Sequence, residues 1–186
     1  MSVKSNRNVI MPLFSMLAFK NPALSTLVPV IAAAYGIQAA VAIPSMIFQN
    51  EQFYDLSGSL TFLGCTALSL YVPALRARSY AASQGLPKPA FPSPLSFGAR
   101  KLILSAMVTI WASRLGTFLY ARIKKAGKDP RFDEIKTKPT QFFGAFMAQA
   151  TWVSLVAAPV FAVNAIPTKS LPALGALELL LSLIHI

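Results

Sequence analysis

The residues of this 186-residue chain whose types and spacing could do chemistry lie between positions 111 and 135, in WASRLGTFLYARIKKAGKDPRFDEI. Trp111, Arg114, Phe118 and Arg122 fall three or four residues apart, so on a helix they share one face. Arg114 stands inside an apolar run, and a guanidinium at the centre of a bilayer costs about 2.5 to 3.5 kcal/mol on insertion scales. Two readings follow. The side chain faces a polar cavity, an anionic ligand or a partner, or it sits near one end of a tilted helix and snorkels to the interface. An arginine offers a planar fork of donors that fits phosphate and carboxylate oxygens alike. Arg131 therefore either meets an anionic ligand or closes an ion pair with Asp129, Asp133 or Glu134.

Other reactive groups are sparse. The sequence has no His/Cys cluster of metal-binding spacing, no phosphate loop and no GxGxxG. Its single cysteine, Cys65, excludes an internal disulfide and lies in an apolar run, as a packed core thiol does. The one histidine, His185, falls in the terminal LSLIHI, which reads as translated adapter sequence, so it is not assigned as a ligand. In NEQFYD, Asp55 is expected to cap the following helix, accepting hydrogen bonds from unpaired amides at the positive end of the helix dipole. The alternative is an acid/base pair of Glu51 and Asp55 at a cavity mouth.

The elements that must position these groups are membrane spans. The chain is 55% hydrophobic and only 12% charged, with mean hydropathy +0.56, whereas a soluble domain is about one-quarter charged. Seventeen Lys and Arg against six acids give a net charge of +11, but the basic residues sit between apolar runs, which fits loops beside anionic headgroups and argues against nucleic acid. Uncharged or nearly uncharged runs predict full spans over 27–48, 56–75, 102–121 and 142–163, with a partial fifth over 173–186. Pro44 is expected to kink or end the first span, and Gly36 with Ala33 and Ala40 offers a seam for close helix approach. Residues 76–101, with four prolines between Pro87 and Pro94 and five Lys or Arg, read as a stiff extended connector. Residues 122–141 read as an ionic loop, of which Lys124 to Lys138 is expected to lie at a membrane face as a short mobile segment, with Gly127 and Pro130 breaking the preceding helix. The fold expected is an all-α, polytopic transmembrane helical bundle with four full spans and a partial fifth, comprising an interfacial segment, 1–26, and a transmembrane domain, 27–186, incomplete at its C-terminus. The loop cations divide almost evenly between the two faces, so they do not fix orientation.

The runs FYDLSGSLTFL, WASRLGTFLYARI followed by GKDPRFDEIK, and FFGAFMAQATWVS resemble the DUF1295 membrane proteins, related to the steroid 5α-reductase C-terminal family, in particular their fungal members. The resemblance covers roughly residues 27–180, and its most specific part is the Trp/Arg helix joined to the Gly-Lys-Asp-Pro-Arg-Phe loop. It implies a polytopic helical protein that reduces activated carbon-carbon double bonds of lipids with NADPH, in the endoplasmic reticulum or another intracellular membrane. It also implies that Arg114, Arg122, Asp129 and Arg131 lie toward the cofactor. The family pattern continues into further helices and an Arg/Asn/Tyr-rich cofactor motif that is not met before Ile186, so these residues are expected to be the N-terminal part of a longer protein and inactive alone. Isoprenylcysteine methyltransferases look like distant fold relatives, which keeps open a lipid or prenyl-cysteine methyltransferase using S-adenosylmethionine. A non-catalytic adaptor whose basic loops meet anionic headgroups is the third reading. The partners expected are membrane lipids and a lipid-like substrate, with no nucleic acid.

Overall fold

The computed structural model describes residues 21–172 and Gly175; the start of the expected interfacial segment and, Gly175 apart, the partial fifth span lie outside the described residues. Four helices cover most of the rest: α1 (Pro22–Ile47), α2 (Tyr54–Ser83), α3 (Ala99–Ala126) and α4 (Pro139–Ala165). Three single 3-10 turns complete the secondary structure, with no strand among the described residues. Helices of 26 to 30 residues are about 39 to 45 Å long at 1.5 Å per residue, more than the ~30 Å of hydrocarbon they have to cross. Each is also apolar enough to span. The protein is an all-α integral membrane protein, as its sequence predicts.

The helix ends differ from the expected ones, for local reasons. α1 begins at Pro22, inside the segment assigned to the interface, because Asn21 caps it: its Oδ1 accepts from the Ala23 N–H at 2.9 Å, and proline at the first position has no amide to lose. Pro44 does not end α1, which runs on to Ile47 and turns away through Gln49 at φ 47°. α2 continues to Ser83, so Arg76 and Arg78 are helical; no breaker interrupts that stretch, and a helix of this length carries its charged end beyond the hydrocarbon. Asp55 does not cap α2. The residue before the helix is Phe53, no side chain bonds there, and Asp55 lies in the first turn, occupied with arginines. α3 runs from after Gly98 to Gly127, whose φ of 79° and N–H bond to Ile123 O close it. Lys101 and Arg122 are therefore helical residues and not loop residues.

α2 lies at the centre, packed against all three neighbours; α1 runs mainly along α4 and α2, and α3 leans on α2 with little contact to α4. The buried stripe of α1 is Ser25, Thr26, Val30, Ala34, Gln38, Ala42 and Ser45, mostly small or polar, whereas its bulky Ile43 and Ile47 point outward. Trp152, Leu155, Ile110 and Phe118 likewise face out. For α1 this puts small residues between helices and large ones toward lipid, an arrangement a bilayer favours because lipid tails solvate leucine as well as a protein core does, whereas α4 buries Phe142, Phe146 and Phe161. The close approach falls elsewhere than expected: Gly36 lies open, while a Cβ on Gly116 would come within 2.7 Å of the Ser59 Cβ, and Gly58 presses on the Gln149 amide. Internal prolines interrupt α1 (Pro29, Pro44), α2 (Pro73) and α4 (Pro159), but none lies inside α3.

The proline-rich connector folds back on α2. Arg78 donates to Pro89 O and stacks 4.4 Å from the Phe91 ring, and Tyr71 meets Phe91 and Phe97. Cation-π and aromatic contacts of this kind hold the segment against the helix instead of leaving it an extended spacer.

Candidate functional site

Three elements converge at the end of the bundle where α1 and α3 finish and α2 and α4 begin. The turn before α2 brings Glu51, its first turn brings Asp55, the last turns of α3 bring Arg122, and the α3–α4 connection brings Lys128, Asp129, Arg131, Asp133 and Lys136. The connection folds locally because Asp129 precedes a proline: its Oδ1 accepts from the Arg131 N–H at 3.0 Å and starts the 3-10 turn Pro130–Phe132. Phe132, 4% exposed, then plugs into an aromatic cluster, 4.7 Å from the Tyr54 ring and 5.7 Å from Phe142. Tyr54 in turn donates to Ala145 O at 3.0 Å. The ionic connection expected as a mobile loop is thus pinned by a buried ring beneath it.

On that platform the charges interlock. Arg131 lays its Nε and Nη2 on the Asp129 carboxylate, at 3.0 and 2.5 Å, and its Nη2 also reaches Asp55 Oδ2 at 2.8 Å. Arg122 Nη2 meets the same two carboxylates, at 3.2 Å to Asp55 and 3.6 Å to Asp129. Glu51, 6% exposed, accepts from the Asp129 N–H at 3.2 Å and from Lys136 Nζ at 3.3 Å. Lys128 and Lys136 close the outer side through Asp133, at 2.8 and 3.5 Å. The Arg131 hydrogen bond holds the Asp129 carboxyl below the usual carboxylate range, against the opposing effect of burial. The same bond pushes Arg131 up, so it remains cationic throughout any working pH.

The arrangement can hold an anion. The side chains of Arg122 and Arg131 are 48% and 55% exposed, and Nη1 of both, with Nε of Arg122, has no acceptor among the described residues. The carboxylates hold the two half-exposed guanidinium groups side by side while those donors stay unspent. Among the described residues, no group of three or more His, Cys, Asp or Glu side chains is placed to hold a metal.

Three of the four residues singled out by the sequence, Arg122, Asp129 and Arg131, therefore come together, and the fourth does not. Arg114 lies about 12 Å along α3 from Arg122 at 1.5 Å per residue, on the exposed side of the helix, with no ion pair or side-chain hydrogen bond among the described residues. Asp55 joins the site, although the sequence pointed to a cap. Below the ionic layer lies a neutral network that joins α1, α2 and α4. Gln38 Nε2 donates to Thr61 Oγ1 at 2.8 Å, and Ser57 Oγ lies 3.2 Å from Gln38 Oε1 and 3.3 Å from Gln149 Oε1. The one available signal was an amide inside each of two otherwise apolar spans.

The described site spans both halves of the chain, and the family match covers the second. Neither the curated proteins nor the solved structures gave a match to this chain. The match takes in α3, the ionic connection and α4, with Arg122, Asp129 and Arg131, and extends over residues 92–186, just over half of the chain. The chain belongs to the DUF1295 family, whose description is "protein of unknown function".

Proposed function

We propose that the protein is an NADPH-linked reductase of an enone-type lipid in an intracellular membrane, the endoplasmic reticulum being the first candidate. The observation that carries this reading is the pair of half-exposed arginines, Arg122 and Arg131, fixed on a pair of carboxylates at the rim of a membrane bundle. It adds to the family resemblance drawn from the Trp/Arg helix and the loop after it. The residues fit such a cofactor in one respect that can be examined: two guanidinium groups keep donors unspent after their ion pairs are made. Arg122 and Arg131 would hold the phosphates, with Asp55 and Asp129 keeping the forks oriented. Arg114, farther along the exposed side of α3, is assigned to the same ligand only as an outlying contact. When bound, NADPH supplies the two-electron reducing equivalent for an activated double bond. The chain's own part is to bind, to orient, and to leave the lipid's reacting end against the bundle rim.

The test is NADPH binding to the protein in nanodiscs, followed by cofactor oxidation with a panel of enone lipids. Arg122→Met and Arg131→Met are each expected to weaken NADPH binding about tenfold or more, equivalent to roughly 1.4 kcal/mol. Arg114→Met is expected to have a smaller effect. Absence of NADPH binding by the parent protein, or unchanged affinity in both rim variants, would overturn the proposal. Binding of S-adenosylmethionine in its place would select the methyltransferase reading.

A further inference from the structure

The opposite end of the bundle holds a second polar knot, which the ionic site does not use. Asn164, fully buried near the end of α4, donates through Nδ2 to Ser69 Oγ on α2 at 2.8 Å and to Ser105 Oγ on α3 at 3.1 Å. Its backbone carbonyl accepts from Lys101 Nζ on α3 at 2.9 Å. Ser69 places its own proton on Thr66 O at 2.7 Å. Both hydrogens of the Asn164 amide are thereby used, and among the described residues its buried Oδ1 has no partner, nor has Thr66 Oγ1 one turn before Ser69. Lys101 is 6% exposed and bonds one carbonyl, although its amine carries at least one further N–H in either protonation state. No acidic side chain reaches this end among the described residues.

Lipid tails cannot satisfy these groups, and buried polar atoms in native proteins are almost always paired. Lys101 Nζ bonds the backbone carbonyl of the residue whose Oδ1 is unpaired among the described residues, so one small group that gives a hydrogen to Oδ1 and takes one from Nζ would serve both. A carboxylate or a phosphodiester only accepts, and an ammonium or guanidinium only donates; an O–H group does both. The surrounding residues are 0 to 6% exposed, so what enters is a terminal O–H and not a whole headgroup. We propose that this knot binds a hydroxylic ligand, water or the alcohol end of a membrane lipid, bridging Asn164 Oδ1 and Lys101 Nζ. The bridge completes a junction of α2, α3 and α4 and is independent of the reading given to the ionic end.

Proton-detected solid-state NMR of the full chain, labelled with ¹⁵N-asparagine, tests this in phosphatidylcholine bilayers with and without monoolein. The Asn164 side-chain signal is assigned by its loss in Asn164→Leu. A cross-peak from that amide to a water proton in both bilayers identifies water, and its replacement by a monoolein hydroxyl proton identifies a lipid alcohol. Lys101→Met is expected to weaken the cross-peak at least fivefold. No cross-peak to a water or monoolein hydroxyl proton in the parent protein, as distinct from those of Ser69 and Ser105, overturns the proposal whether or not that variant folds, and a water or monoolein cross-peak unchanged in a folded Lys101→Met variant overturns the bridge.

Discussion

Arg131 and Lys101 are cations at opposite ends of one bundle, and the protein accommodates them in different ways. Arg131, about half exposed, is matched charge for charge by Asp55 and Asp129. Lys101 is buried, and among the described residues it meets only the carbonyl of Asn164. The difference follows from water. At the ionic end the Arg131 head stays half in solvent, and its hydrogen bond outweighs the burial of Asp129, whose side chain is only 9% exposed. Around Lys101 a second buried charge would add a desolvation penalty of several kcal/mol, so carbonyls, hydroxyls and amides serve instead. Removing a neutral residue from the buried end should accordingly do more harm than removing a charged one from the exposed end.

The largest expected effect comes from breaking the frame both ends share. Gly116→Leu puts a side chain where even a Cβ meets Ser59, so it should push α3 off α2 and destabilise the protein by about 1 to 3 kcal/mol or more. Thermal unfolding in detergent would show this, and an unchanged midpoint would mean that α3 is not held where described. Next is Asn164→Leu, which leaves the hydroxyls of Ser69 and Ser105 without their shared donor and should cost about 1 to 2 kcal/mol, independent of salt. Asp55→Asn should cost less, about 0.5 to 1 kcal/mol, with the difference from the parent shrinking between 50 mM and 500 mM salt. If that order were reversed, the contrast between the two ends would fail. The smallest effect is in pH. Asp129 has a folded value below its ordinary 3.8, so its contribution is complete above about pH 4 and is lost as pH falls through the depressed folded value. Acid unfolding of Asp129→Asn should therefore show a shallower loss of stability below pH 4 than the parent; identical acid limbs would remove Asp129 from the linkage.

Much of the architecture was legible from the sequence because a spanning helix is written as one continuous run of apolar residues, and four such runs became four helices. Their ends were not, since Pro22, Arg76 and Lys101 resemble loop residues until the helix is known to extend beyond the hydrocarbon. The Asp129–Arg131 contact was readable because the partners are two residues apart. Asp55 and Arg131 are separated by most of two spans, and nothing local announces that they meet. Arg114 and Lys101 show the same limit in opposite directions. Position within a run gives depth but not direction, so the arginine for which a cavity and the interface were both open lies on the exposed side, and the lysine assigned to a loop is buried.

α3 alone among the four helices has no internal proline, and that has a mechanical consequence. A proline interrupts the hydrogen-bonded ladder and leaves a point of bending, whereas an uninterrupted helix behaves as a stiff rod. This rod carries Arg122 near one tip and Lys101 near the other, about 31 Å apart at 1.5 Å per residue. It leans mainly on α2, where Gly116 meets Ser59, and reaches α4 through the bonds of Lys101 and Ser105 to Asn164. Because the rod has no point of bending, the helix itself fixes the spacing between the ionic end at Arg122 and the buried amine of Lys101.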